Sequence, residues 1–339
     1  MSAPRGSITG RRRDEPTGRR AEAVGRKAEP AGRGGGTASP GNEPAGLPFE
    51  IPTELRIDTA IARRVIVEFI RGQLRQTGFE RAVLGLSGGI DSSLVAYLTA
   101  EAIGPDRLLC LLMPYRTSAP SSRADAEEVV RRLGCPSELV EITPMVDAYF
   151  GRDGEPGAAG PEGLTASPVR RGNFMARIRM AVLYDRSVTW RGLVVGTGNK
   201  TELLIGYTTL YGDSACAFNP IGDLYKSQVR QLALAMGVPE AIIRKPPSAD
   251  LWPGQTDEGE ARFSYPELDR ILYWLIDKRR TVDELEAMGF SRSQVERVAQ
   301  MVAAAEFKRQ VPPVAKLGPR TAGIDYLYPR RRPGSLATR

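Results

Sequence analysis

Leu84 to Leu98 reads LGLSGGIDSSLVAYL: an apolar run, two adjacent glycines, an aspartate among serines, then apolar spacing again. Gly85, Leu86, Ser87, Gly88, Gly89, Ile90, Asp91 and Ser92 make the turn from a strand into a helix that this pattern predicts. At such a turn the first helical N–H groups have no intrahelical partner and the helix dipole adds partial positive charge, so the loop reads as an anion cup. Gly88 and Gly89 permit the bend and clear the approach to the backbone, while Ser87, Ser92 and Ser93 add hydroxyl donors. A Walker-type GxxxxGK[ST] loop needs a lysine where this chain has Asp91, and the GxGxxG fingerprint is absent as well. An aspartate in a phosphate cup repels its ligand unless a cation stands between them, which assigns Asp91 to magnesium. The alternative is a plain glycine turn in which Asp91 only caps the helix.

Composition narrows the chemistry further. The 339 residues contain no histidine, which removes Ser-His-Asp and Cys-His catalysis and any imidazole zinc site. A metal here must sit on carboxylates. Cys110, Cys135 and Cys216 show no CxxC spacing and read as buried thiols of a cytoplasmic protein. The net charge is +7, but residues 1–46 carry nine basic and five acidic residues, so only +3 belongs to the rest. No aromatics interleave the tail's charges, so nucleic-acid binding is not expected. No run reaches 18 apolar residues, and no apolar stretch in the tail resembles a secretory signal, so a soluble protein is expected.

The elements that must hold the loop follow from periodicity. Asp58 caps a helix running to Gly78, with Ile61, Val65, Ile66, Phe69, Ile70 and Leu74 at helical spacing. Strands are expected at Ala82–Leu86, Leu108–Met113, Glu138–Ile142 and Gly192–Gly196, with helices at Ser92–Ala102, from Ser121 or Ser122 to Gly134, and at Asn173–Val188. Gly151–Pro168 reads as a loop. Lys226–Met236, Pro266–Asp277, Val282–Met288 and Ser291–Glu306 read as helices, the later ones forming a C-terminal layer. The alternation predicts an α/β fold with a doubly wound parallel sheet and ligands at the carboxyl ends of its strands. Residues 1–47 read as a disordered tail, 48–316 as the catalytic domain and 317–339 as a second tail.

The loop resembles the SGGxDS pyrophosphate loop of the N-type ATP pyrophosphatases, whose fold is the adenine nucleotide alpha hydrolase-like one. NFMARIRM (Asn173 to Met180), GTGNKTELLIGYTTLYGD (Gly196 to Asp213), NPIGDLYKSQVRQLA (Asn219 to Ala233) and KPPSADLWPGQTDE (Lys245 to Glu258) are similar, in order, to blocks of the ammonia-dependent NAD synthetases. The resemblance implies an acyl-adenylate route: a carboxylate of deamido-NAD attacks the α-phosphorus of ATP, pyrophosphate leaves, and ammonia displaces AMP. Adenylation is needed because a carboxylate is not electrophilic, and the developing phosphate charge needs cations.

It also implies site residues. Thr197, Lys226 and Ser248 match ATP-contacting positions, and Asp91 and Glu202 resemble the magnesium ligands. Arg177 matches an arginine on the deamido-NAD substrate, whereas Arg179 is expected to face elsewhere in a structural ion pair. Asp213 resembles an aspartate near the ammonia site, and with Asp91 and Lys226 completes the expected catalytic set. Simpler readings stand beside three of these: a solvated helix lysine for Lys226, a surface charge for Glu202 and an Asx turn for Asp213. Lys245 to Phe263, with Trp252, Pro253 and Gly254, reads as a lid.

The acceptor half departs from the family pattern. Leu210 stands where lysine is usual, Ala217 where aspartate is usual, and Phe307 replaces the histidine before Lys308, which is retained for the substrate. Two readings compete: a divergent NAD synthetase, or an amide ligase on another carboxylic acid. A non-catalytic nucleotide sensor is the third. No glutaminase region is visible, so free ammonia, or ammonia from a separate partner, is expected; the family's homodimer implies that Ile57 to Gln76 contributes to a subunit boundary, and a purely core-packing role fits that helix equally.

Overall fold

A computed structural model describes residues 49, 51–151, 167–248, 250–251 and 263–321. The expected N-terminal tail, residues 322–339, most of the Gly151–Pro168 loop, and Trp252, Pro253 and Gly254 of the expected lid lie outside these. Helix α1 (Thr59–Thr77) starts where Asp58 accepts the Ile61 amide at 2.9 Å and stops at Gly78, whose φ of 77° ends it in a left-handed turn. Its apolar residues divide into two stripes. Ile66, Val67, Ile70 and Leu74 are buried, whereas Ile61, Val65 and Phe69 point outward.

Four parallel strands follow: β1 (Arg81–Gly85), β2 (Leu108–Leu112), β3 (Ser137–Leu139) and β4 (Gly192–Val195), in the order β3-β2-β1-β4. The chain moves from β1 through α2 (Ile90–Ile103) to β2, then through α3 (Pro120–Leu133) to β3. It returns through α4 (Thr143–Phe150) and α5 (Pro168–Trp190) to lay β4 on the other side of β1. The winding therefore reverses between β1 and β4, and the crevice at their carboxyl ends is where such a sheet binds ligands.

Alternate strand residues serve opposite faces. Ala82, Leu84, Cys110 and Leu112 join α1, α2, α3 and α7 (Lys226–Ala235) in one core cluster. Val83, Leu109 and Leu111 pack instead against Val146 of α4 and Met175 of α5. All five residues of β2 are buried, as a parallel strand covered on both sides requires. After α6 (Lys200–Ile205), α7 and α8 (Glu240–Arg244), a third cluster forms from α9 (Tyr265–Leu272), α10 (Val282–Ala287) and α11 (Arg292–Ala304), through Leu268, Ile271, Leu285, Val295 and Val298. This is the expected helical layer. Its first helix differs from expectation in running into a π-helical turn, Tyr273–Asp277.

Three boundaries shift for local reasons. Helix α5 begins at Pro168 rather than Asn173, because Ser167 accepts the Arg170 amide at 3.2 Å and proline suits the first helical position. Helix α3 begins at Pro120 rather than at Ser121 or Ser122, and its N-cap Ala119 makes no side-chain cap. Strand β3 is exposed and ends at Leu139, although Val140 and Ile142 still donate to the carbonyls of Leu112 and Pro114. Leu111 is fully buried. Leu111→Ala is expected to cost about 2–5 kcal/mol, read as a lower denaturant midpoint with an unchanged slope.

Candidate active site

The turn after β1 forms the cup, and its two glycines serve different ends. Gly88 has φ of 77°, and a Cβ there would lie 2.1 Å from the Ser122 carbonyl oxygen of α3. Gly89 has φ of −83°, and a Cβ would meet only the Ser87 hydroxyl at 3.3 Å. Gly88 is thus required by the fold, whereas Gly89 leaves the helix mouth open. Ser92 Oγ and Ser93 Oγ both donate to the Gly89 carbonyl, Ser87 Oγ lies 3.0 Å from Ser92 Oγ, and the Gly89 amide donates to Ser87 Oγ at 3.2 Å. The amides of Gly88, Ile90, Asp91 and Ser92 find no partner among the described residues. Four unpaired donors at a helix N-terminus beside half-buried Asp91 are an arrangement that can hold an anion.

Across the crevice, the turn after β4 leads into α6. Thr197 stands there half-buried, its hydroxyl without a partner among the described residues. Asn199 caps α6: its Oδ1 accepts the Glu202 amide at 3.0 Å, and the Glu202 carboxylate accepts the Asn199 amide at 3.2 Å. The same Asn199, fully buried, donates from Nδ2 to Asp91 Oδ1 at 3.0 Å. Lys226, first residue of α7, is 2% exposed; its ammonium donates to Asp91 Oδ2 at 2.5 Å and lies 3.5 Å from Glu202 Oε1. The readings of Lys226 as a solvated lysine and of Glu202 as a surface charge do not match these positions, because Lys226 is buried against Asp91 and the Glu202 carboxylate lies beside its ammonium.

Behind this cluster lies fully buried Asp269 of α9. Its Oδ1 accepts the Thr201 hydroxyl at 2.5 Å, and its Oδ2 accepts the Ser227 amide and hydroxyl at 2.7 Å each. Burial pushes its carboxyl above the ordinary range; the bonds from Thr201 and Ser227 and the Lys226 charge pull it back. Sequence reasoning missed both Asn199 and Asp269. The Asn199-x-x-Glu202 spacing is a capping-box signature and could have revealed the first.

The donor set can be tested against a divalent ion. Asp91, Glu202 and Lys226 sum to −1, so a polyphosphate drawn to the open amides meets net negative charge unless a cation accompanies it. No group of three or more acidic or thiol ligands gathers among the described residues. Two carboxylates on one point suit magnesium, which typically takes one or two carboxylates and completes its shell with phosphate oxygens and water. The residues fit an ion shared with a ligand.

The other expected side chains are engaged in local structure. Exposed Arg177 donates to the Leu210 carbonyl at 3.1 and 3.3 Å, and Lys308 Nζ donates to the carbonyls of Gly206 and Thr208 at 2.7 and 2.8 Å. Asp213 Oδ1 accepts the Thr209 amide at 2.8 Å, closing the turn between them. The residue is exposed. Loss of hydration beside the loop raises its carboxyl above the ordinary range, against the pull of the Thr209 amide and the Lys308 charge. Exposed Ser248 accepts the Asp250 amide, and the Asp250 carboxylate in turn receives the Ala119 amide at the start of α3. Arg179 has no ion-pair partner among the described residues, a correction to its expected role. It donates to the Met113 carbonyl at 3.1 Å, just past the carboxyl end of β2, with Asp250 and Asp213 acting only at longer range. Phe307 is 62% exposed.

Comparisons with known proteins give the family. A family profile described as NAD synthase matches residues 62–312. The NH(3)-dependent NAD(+) synthetase of Trichlorobacter lovleyi is 50% identical over 278 residues, 82% of this chain and 98% of that protein. The solved NH3-dependent NAD synthetase of Campylobacter jejuni superposes with a TM-score of 0.64 at 33% identity, over 77% of this chain and all of that one. The NMN synthetase of Francisella tularensis superposes with a TM-score of 0.66 at 28% identity, over 77% of this chain and 99% of that one.

The two glycines are expected to separate on substitution. Gly88→Ala adds about 1–2 kcal/mol for its left-handed backbone and displaces α3, so its melting temperature falls by several degrees. Gly89→Ala melts with the wild type and loses affinity for nucleotide, measured by calorimetric titration.

Proposed function

The chain belongs to the NAD synthase family, and we propose that it converts deamido-NAD to NAD with ammonia and ATP, releasing AMP and pyrophosphate. It is a ligase that forms a carbon–nitrogen bond. The observation that carries the mechanism is the set of open amides at Gly88 and Ile90 to Ser92 facing the Asp91, Lys226 and Glu202 cluster. In this reading the amides and the Ser87 and Ser92 hydroxyls hold the leaving pyrophosphate, and Lys226 balances charge as the bond to the α-phosphorus breaks. Thr197 and Ser248 contact ATP from the crevice rim. Asp91 and Glu202 hold a magnesium ion, which when bound supplies positive charge to the polyphosphate. The substrate carboxylate attacks the α-phosphorus, ammonia then adds to the acyl carbon, and AMP departs.

Ammonium must lose a proton before it can attack, and a carboxylate made more basic by lost hydration, Asp213, suits that task. Arg177 and Lys308 complete the reading as acceptor-side residues that shape the 206–210 loop against the dinucleotide acid. Free ammonia is the nitrogen source, as the name of the Trichlorobacter lovleyi relative states for that protein. Homodimer formation is part of the same proposal. The outward stripe of α1 leaves Ile61 and Val65 51% and 60% exposed, an apolar strip suited to a second copy. No helix among the described residues is long and apolar enough to cross a membrane. The proposed setting is the cytoplasm.

A second acid has three observations in its favour. The cations expected at the acceptor end are engaged by main-chain carbonyls, Phe307 is exposed, and a similar structure is that of an NMN synthetase. Nicotinate mononucleotide is therefore the competing substrate. With magnesium, ATP and ammonium, the dinucleotide acid is expected to be preferred in kcat/KM by at least about 10-fold, which corresponds to about 1.4 kcal/mol of lost contact to the shorter acid. A preference for the mononucleotide acid would move the assignment to it. Asp91→Asn is expected to lower AMP formation by roughly 100-fold or more while circular dichroism stays unchanged. Asp213→Asn keeps an oxygen for the Thr209 amide, so it should raise KM for ammonium and leave KM for ATP unchanged.

A further inference from the structure

Lys226 meets Asp91 and lies 3.5 Å from Glu202, yet Glu202 and Lys226 sit near the starts of two different helices. Helix α6 has only six residues, and α7 begins with the lysine itself. The Lys200 amide bonds the Leu224 carbonyl at 2.8 Å just before α7, a main-chain link between the two. A carboxylate from the helical layer bridges them at the residues beside Glu202 and Lys226. Asp269 takes the hydroxyl of Thr201, the residue before Glu202, at 2.5 Å, and the amide and hydroxyl of Ser227, the residue after Lys226, at 2.7 Å each. The Thr201 hydroxyl oxygen also accepts the Lys226 amide at 3.0 Å, closing a ring of bonds behind the cluster. Eight residues on, Asp277 in the π-helical turn holds the Lys200 ammonium at 2.8 and 3.1 Å. The same segment thus grips both Lys200 and Thr201.

We propose that Asp269 is a positioning residue for catalysis: from the helical layer it sets the spacing of Glu202 and Lys226 that lets Asp91, the two of them and the open amides accept ATP together. A fully buried carboxylate costs solvation and makes a poor element of stability unless every donor around it is used. Here three donors use it, and the positive end of α7 faces it. This role rests on the reading of the Asp91 cluster as the polyphosphate pole.

The test titrates the full chain with α,β-methylene ATP and magnesium by calorimetry, beside steady-state kinetics. Thr201→Val and Asp269→Ala are expected to raise the dissociation constant of the analogue roughly 10–100-fold, as loss of supporting bonds does at metal–ligand sites, and to raise KM for ATP more than KM for the dinucleotide acid. Asp269→Asn keeps an acceptor for the Ser227 amide and should bind within a few-fold of wild type. Should Asp269→Ala fail to fold, Thr201→Val decides. A folded Thr201→Val protein that binds the analogue like wild type overturns the inference. Asp91→Asn is the reference. If it too binds normally, the pole itself is wrong; if it alone loses binding, only the role of Asp269 is.

Discussion

One buried ammonium between two carboxylates governs how the crevice is built. Lys226 comes from the start of α7, Asp91 from the first turn of α2 after β1, and Glu202 from α6 after β4, so their contacts tie together the three segments that flank the point where the winding reverses. A cation at the first turn of a helix opposes the dipole, and a lysine with almost no water contact loses hydration. Only paired carboxylates make that placement tolerable. The same arrangement leaves net negative charge beside a helix mouth rich in N–H donors. A polyphosphate is drawn by one and repelled by the other, and this opposition gives a divalent ion its place in the reading.

What could be read in advance followed the range over which each signal acts. The cup is local: strand, glycine turn and helix start lie within fifteen residues, and the structure shows them in that order. Helix α1 was equally legible, because Asp58 and Gly78 supply both ends from neighbouring residues. Two elements were not. Helix α4 escaped notice in a stretch of mixed apolar and polar residues, and the start of α5 was hidden by a Gly/Pro-rich run whose last proline is the first residue of the helix. At the site, Glu202 and Lys226 were found only through family likeness, since no spacing rule connects them to Asp91. Asp269 lies 68 residues from Thr201 and 42 from Ser227, and a carboxylate inside an amphipathic helix looks like a solvated one until its partners fold around it.

The adjacent glycines show how one dipeptide can carry two unrelated demands. Position 88 answers to α3, which comes so near that no side chain fits, while position 89 answers to whatever enters the mouth. The start of α3 is itself held, since Lys245 bonds Ser122 and Asp125, and Asp250 receives the Ala119 amide. The segment after α8 therefore acts on the cup through α3. On the acceptor side the contrast is clear: Arg177 and Lys308 stiffen a loop by bonding its carbonyls, so selectivity there depends on the shape of the loop as well as on direct charge contacts.

The two borders of the sheet are closed by different means. Along β4, the Ala217 and Gly196 amides bond the carbonyls of Val194 and Phe218, so a neighbouring stretch of chain already occupies that border. Along β3, the regular strand is three residues long, fully exposed, with Glu138 held by Arg186. Among the described residues one border is thus already paired and the other is short and charged, which disfavours extension of the hydrogen-bonded ribbon by another molecule beside the catalytic crevice.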